Sequence, residues 1–89
     1  MTEFQDKVVV ITGATSGIGL ACAQGFAAEN AVVILIGRNV ERGQKAEQEI
    51  CKRGGKAWFY YCDVSDLCQV EKLAAQIGSQ FGKVDVLIN

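Results

Sequence analysis

Three glycines, Gly13, Gly17 and Gly19, follow an apolar run over residues 8–11. Because glycine has no Cβ, a bound phosphate can approach the main-chain N–H groups of such a turn closely. The unpaired N–H groups in the first turn of a helix, together with the helix dipole, also attract negative charge. A buried strand that leads through a glycine-rich turn into a helix is typical of a site for the pyrophosphate of a dinucleotide, and we predict that site here.

Thr15 and Ser16 lie within the same turn, and their hydroxyl groups can donate hydrogen bonds to a phosphate. Gly19 is predicted to let the helix pack closely on the sheet. The glycines by themselves also fit a tight strand-to-helix connection without a ligand. The phosphate site is favoured because the motif lies between a strand and a helix in a continuing βαβ series. No Gly-Lys-Ser/Thr sequence follows, which excludes a P-loop.

The second apolar run ends at Gly37 and Arg38, without a carboxylate. Dinucleotide-binding folds that prefer NAD place an acidic residue about 20 positions after the glycines, where it holds the ribose hydroxyls. An arginine can instead pair with a 2′-phosphate through its fork of N–H donors. We therefore predict NADP(H) as the cofactor, with NAD(H) less favoured. The alternative is that Arg38 is a solvated surface residue.

A short polar turn follows the third apolar run and contains Asp63 and Val64. Open α/β sheets bind ligands at the carboxyl ends of their strands. A carboxylate at Asp63 can accept a hydrogen bond from an exocyclic amine such as that of adenine, and Val64 can line the base. The alternative is that Asp63 caps the next helix, and capping is the favoured interpretation of Asp66.

Strand-like and helix-like segments follow one another along the sequence, and they predict the elements that would position these residues. Apolar runs rich in Val, Ile and aromatic residues predict strands, most of them buried on both faces. Apolar residues at steps of three and four predict the intervening helices. Such an alternation implies parallel strand pairing with right-handed crossovers. The predicted strands cover residues 7–12, 31–37, 57–61 and 84–88, and the predicted helices cover residues 17–29, 40–53 and 66–81.

The ends of the predicted helices carry residues suited to capping. Asn39 and Ser65 are the predicted N-caps of the second and third helices. Gly54 and Gly82 follow these helices, where a left-handed residue is favoured. The apolar spacing of the first helix predicts the side that faces the sheet, and this side comprises Ile18, Ala21, Cys22, Gly25 and Ala28.

Composition limits the class of protein. The 89 residues are 49% hydrophobic and 21% charged, which suits one small domain with a core. A net charge of −1 without a cluster of Lys or Arg gives no indication of nucleic-acid binding. No apolar run approaches the roughly 20 residues of a membrane-spanning helix. Since the N-terminus lacks the pattern of a signal peptide, we predict a cytoplasmic protein with no membrane partner.

The cysteines give no indication of a metal site. The chain has no histidine and no Cys-x-x-Cys pair, whereas a zinc site would need closely spaced ligands. Each cysteine lies in an apolar or helical stretch, so we predict that each is a free, small, buried hydrophobic residue. The four are Cys22, Cys51, Cys62 and Cys68.

Three motifs together resemble those of the short-chain dehydrogenase/reductase family. They are Thr-Gly-x-x-x-Gly-x-Gly, an Asp-Val pair after the third strand, and residues 85–89. The resemblance covers essentially the whole chain and is nearest in style to 3-oxoacyl-carrier-protein reductases and hydroxysteroid dehydrogenases. It implies an α/β fold with a Rossmann-like, doubly wound parallel sheet, strand order 3-2-1-4 and three helices. Residues 1–89 would form the N-terminal part of an NAD(P)-binding domain.

The resemblance also implies which residues bind the cofactor. Some family members that use NADP carry a basic residue where this chain has Ser16, so the NADP prediction here depends on Arg38. The implied contacts are Gly13, Gly17, Ile18 and Gly19 for the pyrophosphate, with Thr15 and Ser16 beside them, Arg38 for the 2′-phosphate, Asp63 and Val64 for adenine, and Asn89 on the adenosine side.

The family's catalytic Ser, Tyr and Lys, with a further Asn, have no counterpart in these 89 residues. Tyr60 and Tyr61 do not stand in a Tyr-x-x-x-Lys pattern and are not predicted to be catalytic. The resemblance implies that a longer, homo-oligomeric parent transfers hydride between NADP(H) and a carbonyl or secondary alcohol, and we expect the 89 residues alone to be inactive. The resemblance further implies that the fourth strand lacks its usual neighbour, which would leave an apolar sheet edge and face open.

Two other classes of protein are alternatives to this interpretation. One is a nucleotide-binding module without catalytic activity. The other is an S-adenosylmethionine-dependent methyltransferase, which also has a glycine turn after its first strand. That class favours an acidic residue at the end of the second strand, so Gly37 and Arg38 disfavour it.

Overall fold

Four parallel strands and three helices make up the described part of the fold. The computed structural model describes residues 4–14 and 17–88. The strands lie side by side in the order β3-β2-β1-β4, and every adjacent pair is parallel. The predicted α/β class and strand order are therefore confirmed. The elements are β1 (Val8–Thr12), α1 (Gly17–Ala28), β2 (Val32–Gly37), α2 (Val40–Lys52), β3 (Lys56–Tyr61), α3 (Leu67–Phe81) and β4 (Val86–Ile88).

The alternation of side chains along β1 divides the core between the two faces of the sheet. Val9 and Ile11 pack on the side covered by α1 and α2. Val8 and Val10 pack on the opposite side, together with Leu73 of α3 and other apolar residues. Helices therefore cover both faces, which makes the sheet doubly wound and explains why β1 is apolar without alternation.

Side-chain and backbone hydrogen bonds define the helix ends. The Asn39 side chain accepts from the Arg42 backbone N–H at 2.9 Å, which confirms this predicted N-cap. Gly82 has a φ of 79° and ends α3 in the left-handed conformation, as predicted. For α3, the prediction of Ser65 as the N-cap is wrong, and the favoured interpretation of Asp66 as a capping residue is confirmed. Asp66 caps this helix, because its carboxylate accepts from backbone N–H groups of the first turn and the Ser65 hydroxyl bonds elsewhere.

The predicted inward side of α1 is also wrong. Ala23 and Ala27 are the buried residues of this helix, whereas Ile18 is 85% exposed. A Cβ at Gly19 would overlap the Gly13 carbonyl oxygen, so the helix approaches the sheet along the line of Gly19, Ala23 and Ala27. The spacing of apolar residues does not identify the packed face of α1, because nearly every residue of this helix is apolar or small.

Asp85 fixes the start of the pairing between β4 and β1. Its carboxylate accepts from the Val8 N–H at 2.8 Å, and its backbone N–H donates to the Val8 carbonyl at 2.8 Å. Lys83 lies 3.4 Å from the same carboxylate oxygen. Three residue pairs then follow in register, from Val9 beside Val86 onward.

An apolar groove of about 500 Å³ lies on the α3 side of the sheet. Leu87 on its border is 62% exposed, which confirms the expectation of an open apolar edge and face in the described part of the chain. We call this feature the α3 groove; it is lined by Val10, Thr12, Ile36, Cys62, Val64, Val70, Leu73, Ala74, Ile77, Val84 and Leu87.

The four cysteines are free, as predicted, but their burial differs from the prediction. Cys62 is buried and Cys22 is partly buried. Cys51 and Cys68 are exposed because they lie on outward faces of α2 and α3, so the prediction of burial is wrong for these two. Among the residues that the structure describes, no helix is long and apolar enough to cross a membrane, and no group of His, Cys, Asp and Glu could hold a metal.

Candidate functional site

The carboxyl ends of β1, β2 and β3 meet at one edge of the sheet. The register aligns Thr12 with Ile36 and Gly37 with Tyr61. The Cys62 N–H donates to the Gly37 carbonyl at 3.1 Å and continues the pairing beyond the strands. This edge therefore brings together the glycine turn, Arg38 and Asp63, which the sequence placed after three separate strands.

The glycine turn has the backbone conformation that a phosphate site requires. Gly13 and Gly17 have φ values of +64° and +61°, in the left-handed region that residues with a Cβ rarely adopt. Apart from the adjacent residues in the chain, no atom of the described residues lies within 4 Å of where their Cβ atoms would be. Gly19 has the opposite surroundings, since a Cβ there would overlap the Gly13 carbonyl oxygen. Gly13 and Gly17 thus leave room for a ligand, and Gly19 closes the helix onto the turn.

Neighbouring contacts fix this turn against the sheet. Ala14 is fully buried, and its N–H donates to the Ile36 carbonyl at 3.4 Å. The Thr12 hydroxyl donates to the Ile88 carbonyl at 3.4 Å on the other side. Ile18 projects into solvent beside the turn. The predicted contacts at Thr15, Ser16 and Asn89 lie outside the described residues.

Arg38 lies exposed directly after β2 and is electrostatically coupled to Asp63 on the neighbouring strand end. The pKa of Asp63 lies below its usual value of 3.8, because Ser65 donates two hydrogen bonds to the carboxylate and the positive charge of Arg38 adds to their effect. Val64 follows, with 59% of its surface exposed. The edge thus presents the Arg38 cation, the ionised Asp63 carboxylate and the apolar Val64 side chain around an open turn.

The thiol of Cys62 lies just below this edge and takes no part in its charge. Burial raises the pKa of Cys62, and the carboxylates of Asp63 and Asp66 raise it further. A thiol in such surroundings stays protonated and unreactive.

Comparison with known proteins agrees with this geometry. Residues 7–89 match the family model for short chain dehydrogenases. The chain belongs to the short-chain dehydrogenase/reductase family. It is 45% identical over all 89 residues to a 3beta-hydroxysteroid dehydrogenase of Mediterraneibacter gnavus and covers 32% of that protein.

Solved structures of short-chain dehydrogenases superpose closely on this one. A metagenomic short-chain oxidoreductase in complex with NADP has a TM-score of 0.93 and 35% identity, with 97% of this chain and 39% of that chain covered. A short-chain dehydrogenase/reductase of Burkholderia phymatum in complex with NAD has a TM-score of 0.90 and 34% identity, with 98% of this chain and 31% of that chain covered. This chain therefore spans about a third of the length of the relatives that it matches.

Two residues near this edge, Ser65 and Gln69, were not predicted from the sequence as parts of the site. The Gln69 side chain accepts from the Asp63 N–H at 3.0 Å, and the Ser65 hydroxyl donates to the Asp63 carboxylate at 2.7 Å. The spacing of Asp66 and Gln69 is that of a capping box, which could have indicated that Gln69 reaches back toward the preceding turn.

Proposed function

We propose that this chain binds NADP(H) and supplies the cofactor-binding part of an oxidoreductase that acts on a carbonyl or secondary alcohol. The observation that carries the proposal is the pair of left-handed glycines, Gly13 and Gly17, whose Cβ sides are open among the described residues at the carboxyl edge of the sheet. Membership in a family of dehydrogenases and reductases supports it. When bound, the nicotinamide of the cofactor supplies or accepts the hydride.

Each contact in the proposed site follows from the chemistry of the residue. The amides near Gly13, Gly17, Ile18 and Gly19, with the Thr15 and Ser16 hydroxyls, would bind the pyrophosphate. Asp63 would accept from the adenine amine, Val64 would pack against the base, and Asn89 would lie on the adenosine side. Arg38 would pair with the 2′-phosphate, because the end of β2 carries a cation and no acid.

The remaining parts of the proposal concern the whole protein. Residues 1–89 would form the N-terminal part of an NAD(P)-binding domain in a cytoplasmic, homo-oligomeric enzyme with a small carbonyl or alcohol substrate. The family's catalytic Ser, Tyr and Lys have no counterpart in the sequence. We therefore expect the 89 residues to bind the cofactor without reducing a carbonyl.

Replacement of Arg38 tests the cofactor preference. We expect the 89-residue chain to bind NADPH more tightly than NADH. Arg38→Ala should weaken NADPH binding roughly ten- to a hundredfold, because it removes a charge-assisted hydrogen bond to the 2′-phosphate, and should leave NADH binding nearly unchanged. Isothermal titration calorimetry with both cofactors measures this difference.

The matched control is Arg53→Ala, which removes an exposed arginine at the other end of α2. It alters the net charge by the same amount, so it should leave the affinity for NADPH close to that of the unmodified chain. Tighter binding of NADH than of NADPH, or equal losses in the two variants, would contradict the assignment of Arg38.

A further inference from the structure

Asp63 is held through nearly all of its polar groups. Its carbonyl accepts from the Asp66 N–H at 2.9 Å, and its N–H donates to the Gln69 side-chain oxygen at 3.0 Å. Its Oδ1 accepts from both the backbone N–H and the hydroxyl of Ser65, at 3.0 Å and 2.7 Å. Among the residues that the structure describes, no hydrogen bond reaches Oδ2.

These bonds fix the direction of the free oxygen. Both bonds to Oδ1 come from Ser65, so rotation of the carboxylate would break two hydrogen bonds at once. Gln69 is itself oriented, because its side-chain N–H donates to Asp66 Oδ2 at 3.2 Å. Local packing and hydrogen bonds of this kind hold a binding group near its productive geometry before the ligand arrives.

The charge of the carboxylate is fixed as well as its direction. The two hydrogen bonds from Ser65 and the positive charge of Arg38 lower the pKa of Asp63 below its usual 3.8, so the group is ionised at neutral pH. An ionised carboxylate only accepts hydrogen bonds. It attracts an amine and repels a carbonyl oxygen at the same position.

We propose that Ser65 and Gln69 are positioning residues, which aim Asp63 Oδ2 at the exocyclic amine of the adenine and make the site select a 6-amino purine over a 6-oxo purine. This inference rests on the proposed function, because it assumes that the adenine of a dinucleotide lies at this edge. It adds two residues that act through Asp63 and assigns them a measurable selectivity.

The test compares NADPH with its hypoxanthine analogue, in which a carbonyl replaces the adenine amine. The unmodified 89-residue chain should prefer NADPH. Ser65→Ala should lower this preference roughly three- to tenfold, which corresponds to a net hydrogen bond, mainly by weakening NADPH binding. Ser65→Thr keeps a hydroxyl and should retain the preference, and Gln69→Leu should lower it.

A second measurement needs no cofactor. The pKa of the Asp63 carboxylate, followed by NMR in the free chain, should rise toward 3.8 in Ser65→Ala and stay low in Ser65→Thr. A residue that merely stabilised the turn would change the thermal stability without changing the purine preference in this graded way.

Asp63→Ala separates the two ways in which the account can fail. If the unmodified chain and Asp63→Ala discriminate equally between the two cofactors, Asp63 does not contact the purine, and both its assigned role and the present inference are wrong. If Asp63→Ala abolishes the preference but Ser65→Ala keeps it in full, the adenine site stands and the positioning role is overturned.

Discussion

Gly19 and Gly25 lie six residues apart on α1, but their surroundings differ. A Cβ at Gly19 would overlap the Gly13 carbonyl oxygen, whereas a Cβ at Gly25 would meet nothing within 4 Å. Gly19→Ala should therefore push α1 away from the glycine turn and destabilise the chain by roughly 1–3 kcal/mol. It should also weaken NADPH binding, because the helix N-terminus would move.

Gly25→Ala is the matched control within the same helix. It should stabilise the chain by roughly 0.5–1 kcal/mol, because alanine is the better helix former and the site is open. Urea denaturation measures both changes. If Gly19→Ala were as stable as Gly25→Ala, the close approach of α1 to the turn would not exist in solution.

At the scale of single residues, the sequence was a better guide to which residues belong to the candidate site than to the hydrogen bonds that those residues make. Arg38 and Asp63 were both predicted at strand ends, and the structure brings them to one edge. The bonds that hold Asp63 were not predicted, because Ser65 and Asp66 are adjacent and both residue types cap helices well. Only the folded turn decides which of the two caps α3 and which bonds to Asp63.

The attachment of β4 to β1 depends on a carboxylate and therefore on pH. The hydrogen bond from the Val8 N–H lowers the pKa of Asp85, and Lys83 lowers it further. Because the folded chain holds the proton less tightly than the unfolded chain, this stabilisation is present above the usual pKa of 3.8 and is lost as the pH falls below it. The lowered pKa of Asp63 acts in the same window.

Asp85→Asn should reduce the acid sensitivity of folding. Asparagine can still accept from the Val8 N–H, but it has no charge to lose, so up to about one proton fewer should be taken up on unfolding in acid. The measurement is the free energy of unfolding in urea between about pH 5 and about pH 2.5.

The control for Asp85→Asn is Asp6→Asn. It removes an exposed ion pair with Lys56 at 3.1 Å, and surface pairs of this kind contribute little to stability. This control should keep the acid response of the unmodified chain. An unchanged acid response in Asp85→Asn would show that Asp85 does not anchor β4.

At the scale of elements, the order and type of the seven described elements were predictable, because short apolar runs indicate buried strands and apolar steps of three and four indicate helices. The face of α1 that packs on the sheet was not predictable. Gln24 is the one polar side chain of this helix, so apolar and polar residues do not separate onto two faces. Bonds between elements were also beyond prediction. Glu47 of α2 accepts from the Phe59 N–H on β3, and Asp85 bonds to Val8 across 77 positions.

At the scale of the molecule, two of the surfaces that the described residues form are open to a ligand with apolar character. One is the carboxyl edge of the sheet, with its open glycines, Arg38 and Asp63. The other is the apolar α3 groove, which adjoins this edge at Thr12 and Val64 and carries no cation among its described lining residues. The net charge of −1 provides no general attraction for an anionic dinucleotide, so local N–H donors and Arg38 must decide where it binds.

The most direct test of this account is to map NADP⁺ binding by NMR on the ¹⁵N-labelled 89-residue chain. We predict saturable shifts in the amide signals of Gly13, Ala14, Gly17, Ile18 and Gly19. Signals of the α3 groove residues away from this edge, Leu73, Ile77 and Leu87, should stay nearly unchanged. Shifts confined to Leu73, Ile77 and Leu87, or no saturable shift in the glycine turn while the chain remains folded, would contradict this site.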